Sequence, residues 1–187
     1  CLIGGEGDGE GNWSSGNDGD GIELGGVPAV GSEILGNRVG EDVNGAPLRN
    51  NQNGILVSNG SRHRIGGPAS GQGNIIRFNG NRGILLSGGT NNSVRGNVIA
   101  ANANLGLDLG NNGRTVNDPG DVDTGPNQLQ NFPELTGGTL NPVDTRVTGT
   151  LNSRADTTFQ LDFYSNGGVG DTSGHGEGEA FLGSAPV

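Results

Sequence analysis

Residues Gly73 to Gly110 read GNIIRFNGNRGILLSGGTNNSVRGNVIAANANLGLDLG, a run of short apolar stretches separated by Asn- and Gly-rich corners. The stretch repeats itself. Gly73-Asn74-Ile75-Ile76 returns as Gly96-Asn97-Val98-Ile99 after 23 residues, and Gly83-Ile84-Leu85-Leu86 returns as Gly106-Leu107-Asp108-Leu109 with the same spacing. A fixed period of about 20 to 50 residues is typical of a solenoid. Each period is therefore predicted to form one coil.

The N-terminal third carries the same pattern at an offset of 62, because Ile3-Gly4-Gly5 matches Ile65-Gly66-Gly67. We accordingly expect the chain to begin within a repeat, as a piece of a longer polypeptide. Two turn-rich stretches, residues 40–53 and 66–72, lengthen the spacing between the matching blocks. We expect them to form loops that project from the corners, where solenoids carry binding function.

Each coil is expected to contain two or three short strands whose alternate apolar residues point inward. Asn37, Asn74 and Asn97 are predicted to stack at one corner, since Asn tolerates left-handed backbone angles and its amide can bond the next coil. Trp13 stands where other coils have Ile or Val, which leaves the packing of the first coil open. The predicted inward columns comprise Ile76, Ile84, Leu86, Val94, Ile99, Leu107 and Leu109.

The period fails after Gly110. Residues 111–128 are predicted to be an irregular segment that closes the last coil, so that the solenoid spans residues 1–128. Residues 129–187 contain runs such as Thr157 to Tyr164, in which apolar and polar residues alternate as in a half-buried strand. An immunoglobulin-like antiparallel β-sandwich needs about 100 residues, so this second unit is expected to be incomplete. The predicted fold class is all-β.

These motifs resemble a known family. The Asn-x-Ile-x-Gly-Asn-x-Ile coils, the ending Leu107-Asp108-Leu109-Gly110 and the later Asn127-Gln128-Leu129-Gln130-Asn131-Phe132-Pro133 are similar to parallel β-helix repeat proteins of large bacterial surface polypeptides. The resemblance implies a right-handed helix, a following small β-sandwich and a secreted or cell-surface location. It brings no catalytic set to transfer.

The composition restricts the partners. The chain has 20 acidic residues against 10 basic ones, all of them Arg, and a formal charge of -10. So negative a surface repels phosphate backbones, which argues against nucleic acid and anionic membranes. No apolar run approaches the roughly 20 residues of a membrane-spanning helix.

Acidic loops suggest calcium, which takes six to eight oxygen ligands. The stretch Asn117 to Asp123 reads NDPGDVD, and its Asp118, Asp121 and Asp123 are the candidate ligands. The stretch Asp8 to Glu23 is a weaker candidate. Turn formation explains both stretches equally well, so the two interpretations stay open.

An enzyme is the alternative, because parallel β-helices often process acidic polysaccharides. Gly174-His175-Gly176 resembles an element of polygalacturonases, but glycosidase chemistry needs paired carboxylates, and none accompanies it in the sequence. Lyase chemistry would need a basic face beside a carboxylate cluster. Outward, ion-paired arginines are the simpler interpretation, and His63 is expected to be a solvated strand residue. The arginines concerned are Arg62, Arg64, Arg77, Arg82 and Arg95.

The sequence therefore favours a non-catalytic structural or adhesive module of an extracellular bacterial protein, with a fibre-forming subunit as one form that such a module takes. A polysaccharide-active lyase or hydrolase, or its carbohydrate-binding relic, is the alternative. The expected partners are other copies or neighbouring repeats, bound through an open solenoid end and the incomplete sandwich, and polysaccharide. An open end exposes unpaired backbone groups that favour such pairing.

Overall fold

Short strands and sharp corners build almost the whole molecule. The computed structural model describes residues 1–26, 29–167 and 173–187. No helix in these three ranges has the length and apolar character needed to cross a membrane. The first part of the chain passes four times through three parallel sheets, and we call one pass a coil.

Each sheet takes one strand from every coil, in chain order. Sheet 1 contains β1 (Leu2–Gly4), β4 (Glu33–Leu35), β7 (Arg64–Gly66) and β10 (Ser93–Arg95). Sheet 2 contains β2 (Trp13–Ser14), β5 (Arg38–Val39), β8 (Ile75–Arg77) and β11 (Val98–Ala100). Sheet 3 contains β3 (Ile22–Leu24), β6 (Ile55–Val57), β9 (Ile84–Leu86) and β12 (Leu107–Leu109). This architecture is compatible with the predicted parallel β-helix-like solenoid.

The register of the sheets follows the sequence repeats. Ile76 pairs with Ile99 in sheet 2, and Ile84 pairs with Leu107 in sheet 3, so the period of 23 residues relates neighbouring strands. Ile34, Ile65, Ile76 and Ile84 are completely buried and form a continuous aliphatic core. Each such side chain contributes about 1.5 to 3 kcal/mol through the area it removes from water.

Not every predicted core residue is covered. Val94 and Leu109 pack against the core from partly buried positions, whereas Leu107 is 41% exposed. The prediction for Leu107 is wrong because β12 is the outermost strand of sheet 3, and no further strand stacks on it. Trp13 is 50% exposed and pairs with Arg38, whose guanidinium lies 5.9 Å from the ring centre. Trp13 therefore lies outside the core.

The corners require unusual backbone geometry. Gly40 follows β5 with a φ of +96°, and a Cβ placed there would lie 1.9 Å from the carbonyl oxygen of Arg77 in the next coil. Residues 40–53 project from the corner less than predicted. Its Glu41 is 1% exposed beside Arg38, and its Asn50 is fully buried between coils.

Two antiparallel hairpins follow a 3₁₀ helix at Pro126–Leu129. One pairs β13 (Glu134–Leu140) with β14 (Thr145–Thr150), and the other pairs β15 (Gln160–Ser165) with β16 (Ala180–Pro186). An open cleft of about 1100 Å³ lies between them, lined by apolar residues that include Leu135, Val147 and Phe163. Two separate two-stranded sheets around an open cleft agree with the antiparallel part of the prediction.

Candidate functional site

Three columns of hydrogen-bonded polar side chains run along the corners between coils. In the first, the backbone N–H and the side-chain amide of Asn12 both donate to Asn37 Oδ1 at 3.0 Å. Asn37 donates in the same way to Asn74, and Asn74 to Asn97. The predicted Asn37, Asn74 and Asn97 stack is confirmed, with all three residues at most 1% exposed.

The second column links Asn17, Asn50, Asn79 and Asn102 in the same direction. The third begins at Ser32, whose N–H donates to His63 Nδ1 at 3.1 Å, and it continues through Asn92. In each column, a residue of one coil donates to a residue of the next coil along the chain. The columns therefore have a fixed polarity.

His63 occupies a position that Asn fills in the next coil. It is 1% exposed, so its prediction as a solvated strand residue is wrong. Burial lowers the pKa of His63, against an opposing effect of the Asn59 backbone. Because Nδ1 accepts a hydrogen bond from Ser32, the neutral imidazole fits this position, and we assign His63 a structural role in the column.

The arginines do not form one basic face. Arg64 lies in sheet 1 and Arg77 in sheet 2. Arg64 lies 3.4 Å from Glu33, and the Arg82 Nε donates to the buried carboxylate of Asp108 at 2.5 Å. Arg95 binds Asp162 through two nitrogen atoms. For Arg64, Arg82 and Arg95 these ion pairs agree with the simpler interpretation of paired residues, whereas the Nε atom of Arg77 is buried and has no hydrogen-bond partner among the described residues.

His175 lies in an exposed turn of the tail, where its backbone N–H donates to Ser173 Oγ at 3.2 Å. Acidic side chains of the Asp8 to Glu23 stretch form hydrogen bonds with the next coil at the corner. Asp20 Oδ1 accepts both the N–H and the side-chain amide of Asn53 at 2.8 Å, and Asp18 accepts the side-chain amide of Asn51.

The candidate calcium ligands meet in the closing segment. One carboxylate oxygen from each of Asp118, Asp121 and Asp123 lies within 4.8 Å of the others, close enough for three ligands of a single ion. Asp121 is 3% exposed and accepts hydrogen bonds from Asn131 N and Ser153 Oγ.

The donor set of this acidic cluster fits a hard cation. Asp118 Oδ1 and Asp123 Oδ1 are buried and lack a hydrogen-bond partner among the described residues. Burial raises the pKa of Asp123, and the neighbouring charges of Asp118 and Asp121 raise it further. A cation among the three oxygens would offset this repulsion. Hydrogen bonds such as Asp118 N to Asn131 Oδ1 also connect the cluster to the base of the first hairpin.

The tail contacts the last coil, formed by β10, β11 and β12. The Gly96 N–H donates to the hydroxyl oxygen of Tyr164 at 2.9 Å, and the Ile99 N–H donates to the carbonyl of Gly178 at 3.0 Å. Glu177 accepts the N–H of Asn102 at 3.0 Å and its side-chain amide at 2.6 Å. Glu177 thus extends the second column by one acceptor.

The third column ends in a similar way. The Asn92 N–H donates to Asn127 Oδ1 at 2.9 Å, so the 3₁₀ helix supplies the final acceptor. Sequence reasoning missed these terminal acceptors, because no repeat relates Glu177 or Tyr164 to the coils.

Comparison with protein-family models, with curated proteins and with solved structures finds no match for this chain.

Proposed function

We propose that this chain is a non-catalytic structural or adhesive module of a secreted or surface-exposed bacterial protein, built as a right-handed parallel β-helix with an incomplete immunoglobulin-like sandwich. The observation that carries the proposal is the continuity of the polar columns. Buried side chains at the corners bond one coil to the next, which suits a rod better than a site that must bind and release a substrate.

The use of the charged groups supports the same proposal. Glycoside hydrolysis needs two free carboxyl groups on either side of a substrate. In the acidic cluster of Asp118, Asp121 and Asp123, the Asp121 carboxylate instead accepts hydrogen bonds from Asn131 and Ser153 at the base of the first hairpin. Arg64, Arg82 and Arg95 are paired with carboxylates.

We also assign calcium to Asp118, Asp121 and Asp123 as a structural ion. It would join the closing segment to the first hairpin and stiffen the junction between the two units. The proposed partners are other copies or neighbouring repeats, which would pair with the strand edges of the first coil or fill the cleft between the hairpins, and a polysaccharide ligand.

A depolymerase assay tests the proposal. The protein is incubated with polygalacturonate, alginate and neutral glycans, with and without calcium, and reducing and unsaturated ends are measured. No release above that of the heat-denatured protein is expected. Turnover that disappears in Arg64→Ala or His175→Ala would establish the enzyme alternative instead.

Location is tested separately. An antibody raised against the folded chain should label intact source cells or their medium without permeabilisation. Labelling that requires permeabilised cells would contradict a surface or secreted setting.

A further inference from the structure

Asparagine residues that precede glycine can change spontaneously into aspartate or isoaspartate. The backbone nitrogen of the glycine attacks the side-chain carbon of the asparagine amide, and glycine has no side chain that would block this approach. The attack requires the nitrogen to lie close to that carbon, and it requires an N–H whose proton can be removed without the loss of another hydrogen bond. Six such pairs occur in the chain, at Asn44, Asn53, Asn59, Asn79, Asn112 and Asn166.

In five of these pairs, the glycine N–H donates to an acceptor outside the pair. The Gly54 N–H donates to the carbonyl of Arg82 at 2.9 Å, and the Gly80 N–H donates to the carbonyl of Asn50 at 2.8 Å. Removal of the proton would cost such a hydrogen bond, so these pairs are protected. The remaining acceptors are the Asp42 carbonyl for Gly45, Asp108 Oδ2 for Gly113 and Glu179 Oε2 for Gly167.

The pair Asn59-Gly60 is different, because the Gly60 N–H donates to Oδ1 of Asn59 itself at 2.8 Å. The nitrogen therefore lies beside the carbon that carries this oxygen, which is the carbon it must attack. Asn59 is exposed, so water and hydroxide reach its amide. Its Nδ2 has no hydrogen-bond partner among the described residues, whereas the buried amides of Asn53 and Asn79 donate to neighbouring coils. Departure of the Asn59 amide nitrogen therefore breaks no hydrogen bond of the protein.

We propose that Asn59 is a site of spontaneous modification in this protein, and that its conversion to isoaspartate loosens the corner between β6 and β7. Hydroxide removes the proton of the Gly60 N–H, the nitrogen forms a bond to the amide carbon of Asn59, and the bond from that carbon to Nδ2 breaks. Nδ2 takes a proton from water and leaves as ammonia. Water then opens the cyclic imide at one of its two carbonyls. Opening at the main-chain carbonyl gives isoaspartate, which adds one carbon atom to the main chain, and opening at the other carbonyl gives aspartate.

The corner around Gly60 has no room for a longer main chain. A Cβ placed on Gly60, whose φ is +105°, would lie 2.5 Å from His63 Nε2 and 2.6 Å from the carbonyl oxygen of Ala29 in the preceding coil. On the other side, a Cβ placed on Gly89 in the next coil would lie 1.6 Å from the carbonyl oxygen of Gly60. The Gly60 backbone is thus packed between two coils, and an additional main-chain carbon must displace it.

The third column passes through the same corner. His63 accepts the Ser32 N–H and donates its own N–H to Asn92 Oδ1, and Asn92 Nδ2 lies 3.4 Å from the carbonyl oxygen of Gly60. Displacement of Gly60 would therefore disturb both His63 and Asn92 and expose the Ser32 amide to solvent. The second column lies at a different corner and should stay intact. The modification is thus a slow, irreversible loosening of one corner of the solenoid.

Peptide mass spectrometry of the unmodified protein tests the site. Folded protein and guanidinium-denatured protein are incubated in parallel at mildly alkaline pH and digested at intervals. The six asparagines should convert at comparable rates in the denatured chain, because each precedes glycine. In the folded protein, Asn59 should convert at least about tenfold faster than Asn44, which is also exposed. Equal rates for the two residues in the folded protein, or a faster rate for Asn44, would overturn the proposed site.

Amide hydrogen exchange tests the loosening. The isoaspartate form carries one additional negative charge and is isolated by ion exchange. Its Ser32 amide should exchange at least about tenfold faster than in the unmodified protein, while the Asn79 amide of the second column should not change. Asn59→Asp is the matched control, since it adds the same charge to a main chain of normal length, and its Ser32 amide should stay protected. An isoaspartate form whose Ser32 amide is as protected as that of Asn59→Asp would overturn the loosening.

Discussion

Asn74 shows how one buried amide can hold three coils together. Its Oδ1 accepts two hydrogen bonds from Asn37, and its side-chain amide donates to Ile34 O and Asn97 Oδ1. A buried polar group that loses its partner costs about 1 to 3 kcal/mol. Asn74 therefore contributes to stability mainly by forming hydrogen bonds with buried polar groups of the neighbouring coils.

Asn74→Leu should lower the free energy of unfolding by about 3 kcal/mol or more, because it orphans the Asn37 N–H and the Ile34 carbonyl. Arg77→Leu, in the strand that directly follows Asn74, is the matched control, since Arg77 Nε has no hydrogen-bond partner among the described residues. Urea unfolding measures both. Equal losses for the two variants would contradict a specific role for the Asn column.

His63 makes the column sensitive to pH. Its folded pKa is lowered by burial, so the folded state favours the neutral ring that accepts the Ser32 N–H. The contribution of His63 to stability is then fully present above the ordinary histidine pKa and is lost as the pH falls from that value toward the lowered pKa of the folded state.

The free energy of unfolding should thus fall as the pH drops below about 6.5, the ordinary pKa of histidine. His63→Asn, which copies the residue at position 92 of the next coil, should remove this dependence while it keeps an acceptor for Ser32. His175→Asn, in the exposed turn, is the control and should leave the pH profile unchanged. A profile that is the same in His63→Asn would assign the effect to another group.

At the scale of elements, the closing segment is where a metal ion would act. Calcium that binds the folded state alone raises stability by about 2.7 kcal/mol at a hundred times its dissociation constant. For a chain of this size the thermal midpoint should rise by about 5 °C or more. Asp123→Asn should abolish this rise, and without calcium it should not destabilise, because the Asp123 pKa is raised by burial and by its acidic neighbours.

Two controls separate calcium binding from other effects. Asp8→Asn removes an exposed acidic group outside the cluster and should keep the full calcium response. Magnesium demands near-octahedral geometry and gives up its waters reluctantly, so it should give a smaller rise. A rise that persists in Asp123→Asn would place the binding elsewhere.

The neighbours of the repeating strands could be predicted from the sequence, whereas for the non-repeating tail only the presence of antiparallel strands could be predicted and not what they contact. The spacing of 23 residues identified the neighbours in sheets 2 and 3, because stacked coils repeat their apolar positions. His63 carried a usable signal as well, since Arg62-His63-Arg64-Ile65 aligns with Asn91-Asn92-Ser93-Val94 and would place His63 in an Asn position.

The contacts between the tail and the last coil gave no such signal. Glu177 lies 75 residues from Asn102, and Tyr164 lies 68 residues from Gly96, with no periodicity to relate the pairs. The exposure of Leu107 also depends on where stacking stops, which an inward-pointing pattern does not reveal. For the acidic cluster, sequence proximity placed Asp118, Asp121 and Asp123 together, but their link to Asn131 and Ser153 required the folded chain.

At the scale of the whole molecule, repulsion among the excess carboxylates opposes the attraction within the local ion pairs. The chain carries 20 acidic and 10 basic residues, and the described ion pairs use the side chains of Arg38, Arg64, Arg82 and Arg95. The unmatched carboxylates repel one another across the surface. Salt screens distant exposed charges much more than close, buried pairs such as Arg82 with Asp108.

The thermal midpoint should therefore rise as sodium chloride increases from about 0.01 M to about 0.1 M, over which the screening length falls from roughly 30 Å to roughly 10 Å. A chain held mainly by surface ion pairs would show the opposite trend. Asp8→Asn/Glu134→Gln removes two exposed charges and should raise the midpoint at low salt while it reduces the gain from added salt. A midpoint that falls with salt would mean that local ion pairs, such as Arg95 with Asp162, outweigh the repulsion among the unmatched carboxylates.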